Sequence, residues 1–292
     1  MLFPVDGSGD PIRATAARGR NRLPLLLVVA LLPGLLLAHP ASAQLRPWEP
    51  FDWSLFDEGR VSIAMGTSVL ADQRASLAGT QGLLIEAGMF SGGVRIDRVG
   101  VEAAGTLYRQ FRERTVFAAP SGGAEERPIG TRHDAGDYRI STGIALTRPD
   151  RRATFLLRFG SRLPTTDNRV GLERDAIDFF ATFGARITAG PARAFGELGV
   201  GIHGTRIETF EQSDLLIYML GVESRTGLVR PGVVFLGQTI SRSLWFRGTE
   251  PLSEVRLKVD AGGGLSLRLE AIHGLAEFSP GNGISASLLA TF

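Results

Sequence analysis

The sequence predicts an all-β protein, a transmembrane antiparallel up-and-down β-barrel of about twelve strands. Three observations carry this. Segments of about ten residues with alternate apolar side chains recur along the chain, their charges fall on the opposite parity, and short connections alternate with long ones. The last segment, "GISASLLATF", shows the alternation plainly. Ile284, Ala286, Leu288, Ala290 and Phe292 share one parity, with Ser285, Ser287 and Thr291 on the other, which is the period of a strand. A closed barrel gives such a terminal strand a partner by returning it to the first.

Before the first strand, "LPLLLVVALLPGLLLAHPASAQ" follows Arg13, Arg18, Arg20 and Arg22 and ends on Ala41-Ser42-Ala43. A basic stretch, an apolar core too short to span a membrane and a small-residue site read as a secretory signal, residues 1–43, cleaved before Gln44. Removing its four arginines and two aspartates from the chain's 32 basic and 30 acidic residues leaves 28 of each. A neutral chain with no basic run has no electrostatic footprint for nucleic acid. There is no cysteine, which excludes disulfides, thiolate metal sites and lipid attachment through an N-terminal cysteine.

Residues 44–58 read as a periplasmic N-terminal segment and 59–292 as the barrel. The aromatics Trp48, Phe51, Trp53 and Phe56 fit either of two placements, a partial plug tucked into the periplasmic mouth or, the favoured one, the membrane interface. Val61, Ile63, Met65 and Val69 open the first strand. Leu83, Ile85, Ala87 and Met89 mark one face of the second, and a third runs from about Val94 to Tyr108, with "SGGVRIDR" blurring its start. Residues 111–137 lose the alternation and read as a long loop that either folds inward to cover or gate the extracellular mouth or remains a solvated external loop. Tyr138–Leu146 and Ala153–Phe159 form a hairpin about "TRPDRR", and Ile177–Ile187 turns at "AGPA" into Ala194–Ile202. Five more strands follow: "DLLIYMLGVE", "LVRPGVVFLGQT", "EVRLKVDA", "LSLRLEAI" and the terminal one. Pro231 cannot donate to a ladder and must sit near a strand end or bulge. An even strand count with both ends on the short-turn side makes that side periplasmic.

The signal and the terminal strand ending in Phe292 resemble bacterial outer-membrane barrels, and the resemblance implies that Phe292 is an assembly signal read by the barrel assembly machinery. A narrower stretch, "RLPTTDNRVGLERDAIDFFATFGARITAG", residues 162–190, is similar to the outer-membrane transporters associated with meta-pathway phenol degradation. It has Thr166 where that family often has glycine.

If the apolar parity faces lipid, the other parity lines a lumen. It collects Glu86, Glu102, Asp178, Glu197, Glu254, Asp260 and Glu270, and Arg139, Arg158, Arg162, Arg186, Arg256, Lys258 and Arg268. A charge at mid-depth on the lipid face costs about 2–4 kcal/mol, so this segregation itself argues for a barrel. Such a lumen is either a polar passage or an interior that ion pairs fill. Three function classes survive: a channel or transporter for small molecules, hydrophobic ones included; a non-conducting structural or surface-binding barrel; and a lipid-acting enzyme using His203 as base with Glu197 orienting it. Transport is favoured, because no serine motif accompanies His203. No catalytic residue, cofactor or metal site is assigned. The expected partners are outer-membrane lipids, the assembly machinery and a small-molecule solute, without nucleic acid.

Overall fold

The computed structural model describes residues 45–56, 60–121, 123–149, 151–204, 213–239 and 250–292. The expected leader and the connections at 205–212 and 240–249 lie outside them. No helix among the described residues is long and apolar enough to cross a membrane.

The strands are β1 (Val61–Ala75), β2 (Thr80–Ile96), β3 (Val99–Val116), β4 (Thr131–Asp134), β5 (Tyr138–Ala145), β6 (Ala153–Leu163) and β7 (Asp178–Ala189). Then follow β8 (Ala192–His203), β9 (Ser213–Ser224), β10 (Val229–Thr239), β11 (Leu252–Gly262), β12 (Leu265–Gly274) and β13 (Asn282–Thr291). All but β4 pair with their sequence neighbours in one antiparallel circuit. β13 closes it on β1, from Ser62 opposite Thr291 to Ala71 opposite Asn282. This is a twelve-stranded barrel, and β4 is an extra strand laid on the outer reach of β3 at Arg109–Arg112.

The alternation decides the faces. Ile63, Met65, Leu107, Phe183, Leu198, Leu257, Leu269 and Leu288 are exposed on the outside. A closed sheet leaves no unpaired edge in the apolar band, which is why strands can cross a bilayer here. The hairpins at 97–98, 190–191 and 263–264 are two-residue connections at the end that also carries the start of β1 and the close of β13. In an outer-membrane barrel the short-turn end is periplasmic and the opposite end extracellular, and the two ends are named accordingly. Pro231 sits two residues into β10, and pairing of β10 with β9 begins only at Gly232.

Two strand readings need correction. "SGGVRI" belongs to β2, which runs on to Ile96 before turning at Asp97-Arg98. Met89 is not on the lipid face. It stands opposite Gly66, whereas Ala87 stands opposite Thr67, so β2 carries one extra residue at Gly88. Gly88 has φ +64°, and this bulge moves the inward parity from Leu84 and Glu86 to Met89 and Ser91. β3 switches with it, from Thr106 to Arg109.

The loop at 111–137 is also different from expectation. Residues 111–116 continue β3, 131–134 form β4, and most of 117–130 is exposed. The connection that turns inward is 164–177, between β6 and β7. Its Leu172, Glu173 and Arg174 are buried in the extracellular end.

Candidate functional site: a plugged lumen

The segment 45–56 lies inside the barrel and not against the membrane interface, so of the two expected placements the favoured one gives way to the plug. Leu45, Trp48, Phe51, Trp53, Leu55 and Phe56 are all buried. Leu45 packs with Leu70, Leu84, Phe111 and Leu172 in the extracellular half. Phe56 lies close to Gly100 at the periplasmic end, with Arg95 over its ring at 5.9 Å. The segment therefore runs up through most of the lumen, and the described chain starts well inside the barrel.

The wall is shaped for it. A Cβ on Gly100 would come within 2.8 Å of the Phe51 ring, and one on Gly143 within 2.7 Å. Only glycine leaves room for Phe51 to seat against β3 and β5. Wall arginines face the plug aromatics: Arg139 stands 5.6 Å from Trp48, Arg158 5.7 Å from Phe51 and Arg186 5.6 Å from Trp53.

The plug's backbone is satisfied by side chains of the wall, because an irregular segment inside a barrel has no strand to pair with. Phe51 N donates to Glu197 Oε1 at 2.7 Å and Asp52 N to Glu102 Oε1 at 2.6 Å. Arg158 Nη1 donates to the Glu49 carbonyl at 2.8 Å. Charged contacts add to these. Arg256 grips the Glu49 carboxylate at 2.6 and 2.8 Å, and Arg46 reaches Glu86 at 3.1 Å and Glu254 at 3.5 Å. Burial pushes the Glu49 carboxyl up, but the guanidiniums of Arg256, Arg46 and Arg139 outweigh it and hold it at about 2.

All fourteen charged residues expected on the lumen parity are on the inner face. Arg158 lies between Glu102 and Glu197 at 3.3 and 3.4 Å, and Arg256 also pairs with Glu254. Asp260 accepts two bonds from Arg268, and Lys258 pairs with Glu223. Glu270 accepts from Ser285. Arg186 donates to Thr154 Oγ1 and to the Pro149 carbonyl. Arg162 pairs with Asp178 at the extracellular end.

Sequence parity did not reveal the partners that come from outside the strands. Arg46 and Glu49 belong to the plug, and Glu173 and Arg174 to the inward loop. Arg109 was missed because the bulge hid its parity. It bridges Glu86 and Glu173, each at 2.8 Å. Burial, followed by the neighbouring Glu173 carboxylate, raises the Asp137 carboxyl to about 7. Asp137 Oδ1 in turn accepts from Thr165 N and Thr166 Oγ1 at 3.1 Å, which fixes the inward loop to the start of β5.

His203 is buried beside Asp178, 3.1 Å from Nδ1 to Oδ2. Arg174 Nη2 lies 2.5 Å from the same Nδ1. Nδ1 therefore faces a guanidinium, which donates, and a carboxylate, which accepts, while Nε2 has no partner among the described residues. Between plug and wall a cavity of about 290 Å³ remains, lined by both signs of charge and by Ser62, Ala64, Gly66, Ser91, Ser285 and Ser287.

No family model and no curated protein matches the chain. Solved structures resemble it in fold. LpxR from Salmonella typhimurium is 9% identical, with 79% of this chain and 100% of that one covered and a TM-score of 0.44. The translocator domain of autotransporter NalP from Neisseria meningitidis is also 9% identical, covering 81% and 91%, with a TM-score of 0.46. The outer membrane channel DcaP of Acinetobacter baumannii is 10% identical, covering 80% and 96%, with a TM-score of 0.40. Likeness of this degree carries no argument about activity.

Proposed function

We propose that the protein is an outer-membrane channel for small polar solutes, held closed by its own N-terminal segment. The observation that carries this is the plug itself, a separate stretch of chain whose buried aromatic rings seat in glycine-lined recesses and whose backbone and charges are held by polar groups of the wall. Its only covalent tie to the barrel is at the periplasmic start of β1, so it can leave by that mouth without breaking a strand pairing. Cleavage of the signal after Ala43 would make the plug the first part of the exported chain, free to enter the lumen. The likeness of residues 162–190 to phenol-pathway transporters suggests hydrophobic solutes, but the inner wall carries paired charges at every level, and these favour polar ones.

Planar-bilayer conductance tests it. The chain from Gln44 onward is expected to be almost silent, and a chain lacking 45–56 to give stable, ohmic steps in salt. An equally silent deletion barrel, correctly inserted, would identify a structural barrel instead.

A further inference from the structure

Most inner charges of the barrel stand beside a partner of opposite sign, whereas the described residues of the periplasmic mouth are mainly arginines. Below Phe56 opens a vestibule of about 870 Å³. Arg95 and Arg98 reach it from the β2–β3 hairpin, Arg151 and Arg152 from the β5–β6 turn, and Arg225 from the end of β9. Arg148 and Arg186 also line it and have polar partners of their own. Among the described residues, Asp97 is the sole carboxylate on its lining. Asp57, Glu58 and Asp150 lie outside the described residues; among those described, seven arginines against one carboxylate are a local concentration of positive charge, and low-dielectric barrel walls focus its field.

The geometry points to a binding site for multiply charged phosphate anions in this vestibule, and it does not depend on the plug acting as a gate. Guanidinium forks match phosphate oxygens two at a time, and turns from three parts of the wall can approach one anion from several sides. Arg152 is already oriented, donating through Nε to the Thr188 carbonyl at 3.2 Å, which leaves its two terminal nitrogens for a ligand. Arg95 is held over the Phe56 ring. The phosphate could come from a soluble anion or from a lipid headgroup at the periplasmic leaflet, and the two sources are separable.

The chain from Gln44 onward, refolded in uncharged detergent, would be titrated calorimetrically with inorganic tripolyphosphate. In parallel it would be mixed with phosphatidylglycerol and the retained lipid measured after size exclusion. Saturable, salt-sensitive tripolyphosphate binding supports the site with a soluble ligand, and retained lipid that tripolyphosphate displaces supports it with a headgroup. In either arm Arg98→Glu with Arg151→Glu should weaken binding about tenfold or more, whereas Arg98→Lys with Arg151→Lys, which keeps the charge and loses the fork, should weaken it less than the glutamate pair does. Asp97→Asn, which keeps a residue tolerant of the left-handed turn at φ +53°, should tighten it. Heat-modifiable gel migration identifies variants that still fold. Absence of binding in both arms, or binding that the double glutamate variant leaves intact, overturns the proposal.

Discussion

A single glycine sets which side chains of β2 and β3 look inward. At Gly88 the backbone adopts φ +64°, and a Cβ there would lie 3.0 Å from Leu107 Cδ1. The bulge lets Glu86 and Arg109 face each other above it and Met89 and Thr106 below it, all on the inner face. Gly88→Val is therefore expected to cost about 1–3 kcal/mol in urea unfolding from detergent, from backbone strain and the Leu107 clash. Gly92→Val is the control, since its Cβ would meet nothing nearer than 3.8 Å and no positive φ is involved. Equal losses for the two variants would refute the assignment of the bulge to Gly88.

Two elements close the lumen from opposite ends, and they are held differently. The plug depends on aromatic seating and on Arg256, Arg158 and Arg46. The inward loop 164–177 depends on Asp137, whose carboxyl is raised to about 7, first by burial and then by Glu173. An acid raised in the folded state holds its proton where the unfolded chain, near 3.8, has released it. The stability it lends is full below the unfolded value, declines as pH rises and is lost once the pH passes about 7. Hydrogen exchange at 164–177, corrected for intrinsic rate, should lose protection across that window in the native chain. In Asp137→Asn, which cannot ionise at that position, most of this pH dependence should disappear, leaving only what Asp134, which accepts from Asp167 N, contributes. A native chain with flat protection would show that Asp137 does not govern the loop.

At the scale of the whole barrel, closure rests on β1 and β13, and Phe292 stands at the seam. Its N–H donates to the Val61 carbonyl at 2.9 Å, and its carbonyl accepts from Arg60 N and Val61 N. Its ring is exposed at the periplasmic end, 73% accessible, so it contributes little buried area. Deleting Phe292 leaves the ladder from Ser62 to Ala71 intact. Refolding into detergent should then be nearly unchanged, while insertion into the outer membrane of cells should fall several-fold, read by fractionation. Normal insertion of the shortened chain would remove Phe292 from any assembly role. The exposed apolar belt and the enclosed charges are properties of the same closure, because a sheet bent into a barrel assigns one parity to lipid and the other to the interior.

The amino-acid sequence by itself determined the twelve barrel strands, their pairing order and the inward parity of most charges, though not β4 or the parity switch at Gly88, because alternation is a local property and antiparallel neighbours need only short or long connections between them. "EVRLKVD" shows this: all four charges lie opposite Val255, Leu257 and Val259, and Glu254, Arg256 and Asp260 are buried inside. What alternation could not convey were features that depend on distance across the lumen. Trp48, Phe51 and Trp53 suit a membrane interface as well as they suit a barrel interior, and only the recesses at Gly100 and Gly143, from strands far along the chain, decide between them. The partners of Arg256 and Arg109 come from the plug and the inward loop, neither of which has a periodic pattern. The arginines of the periplasmic vestibule stand in separate turns, each unremarkable alone. Tertiary structure decided these matters because they arise from convergence of segments remote in sequence, whereas strand identity is written in neighbours two residues apart.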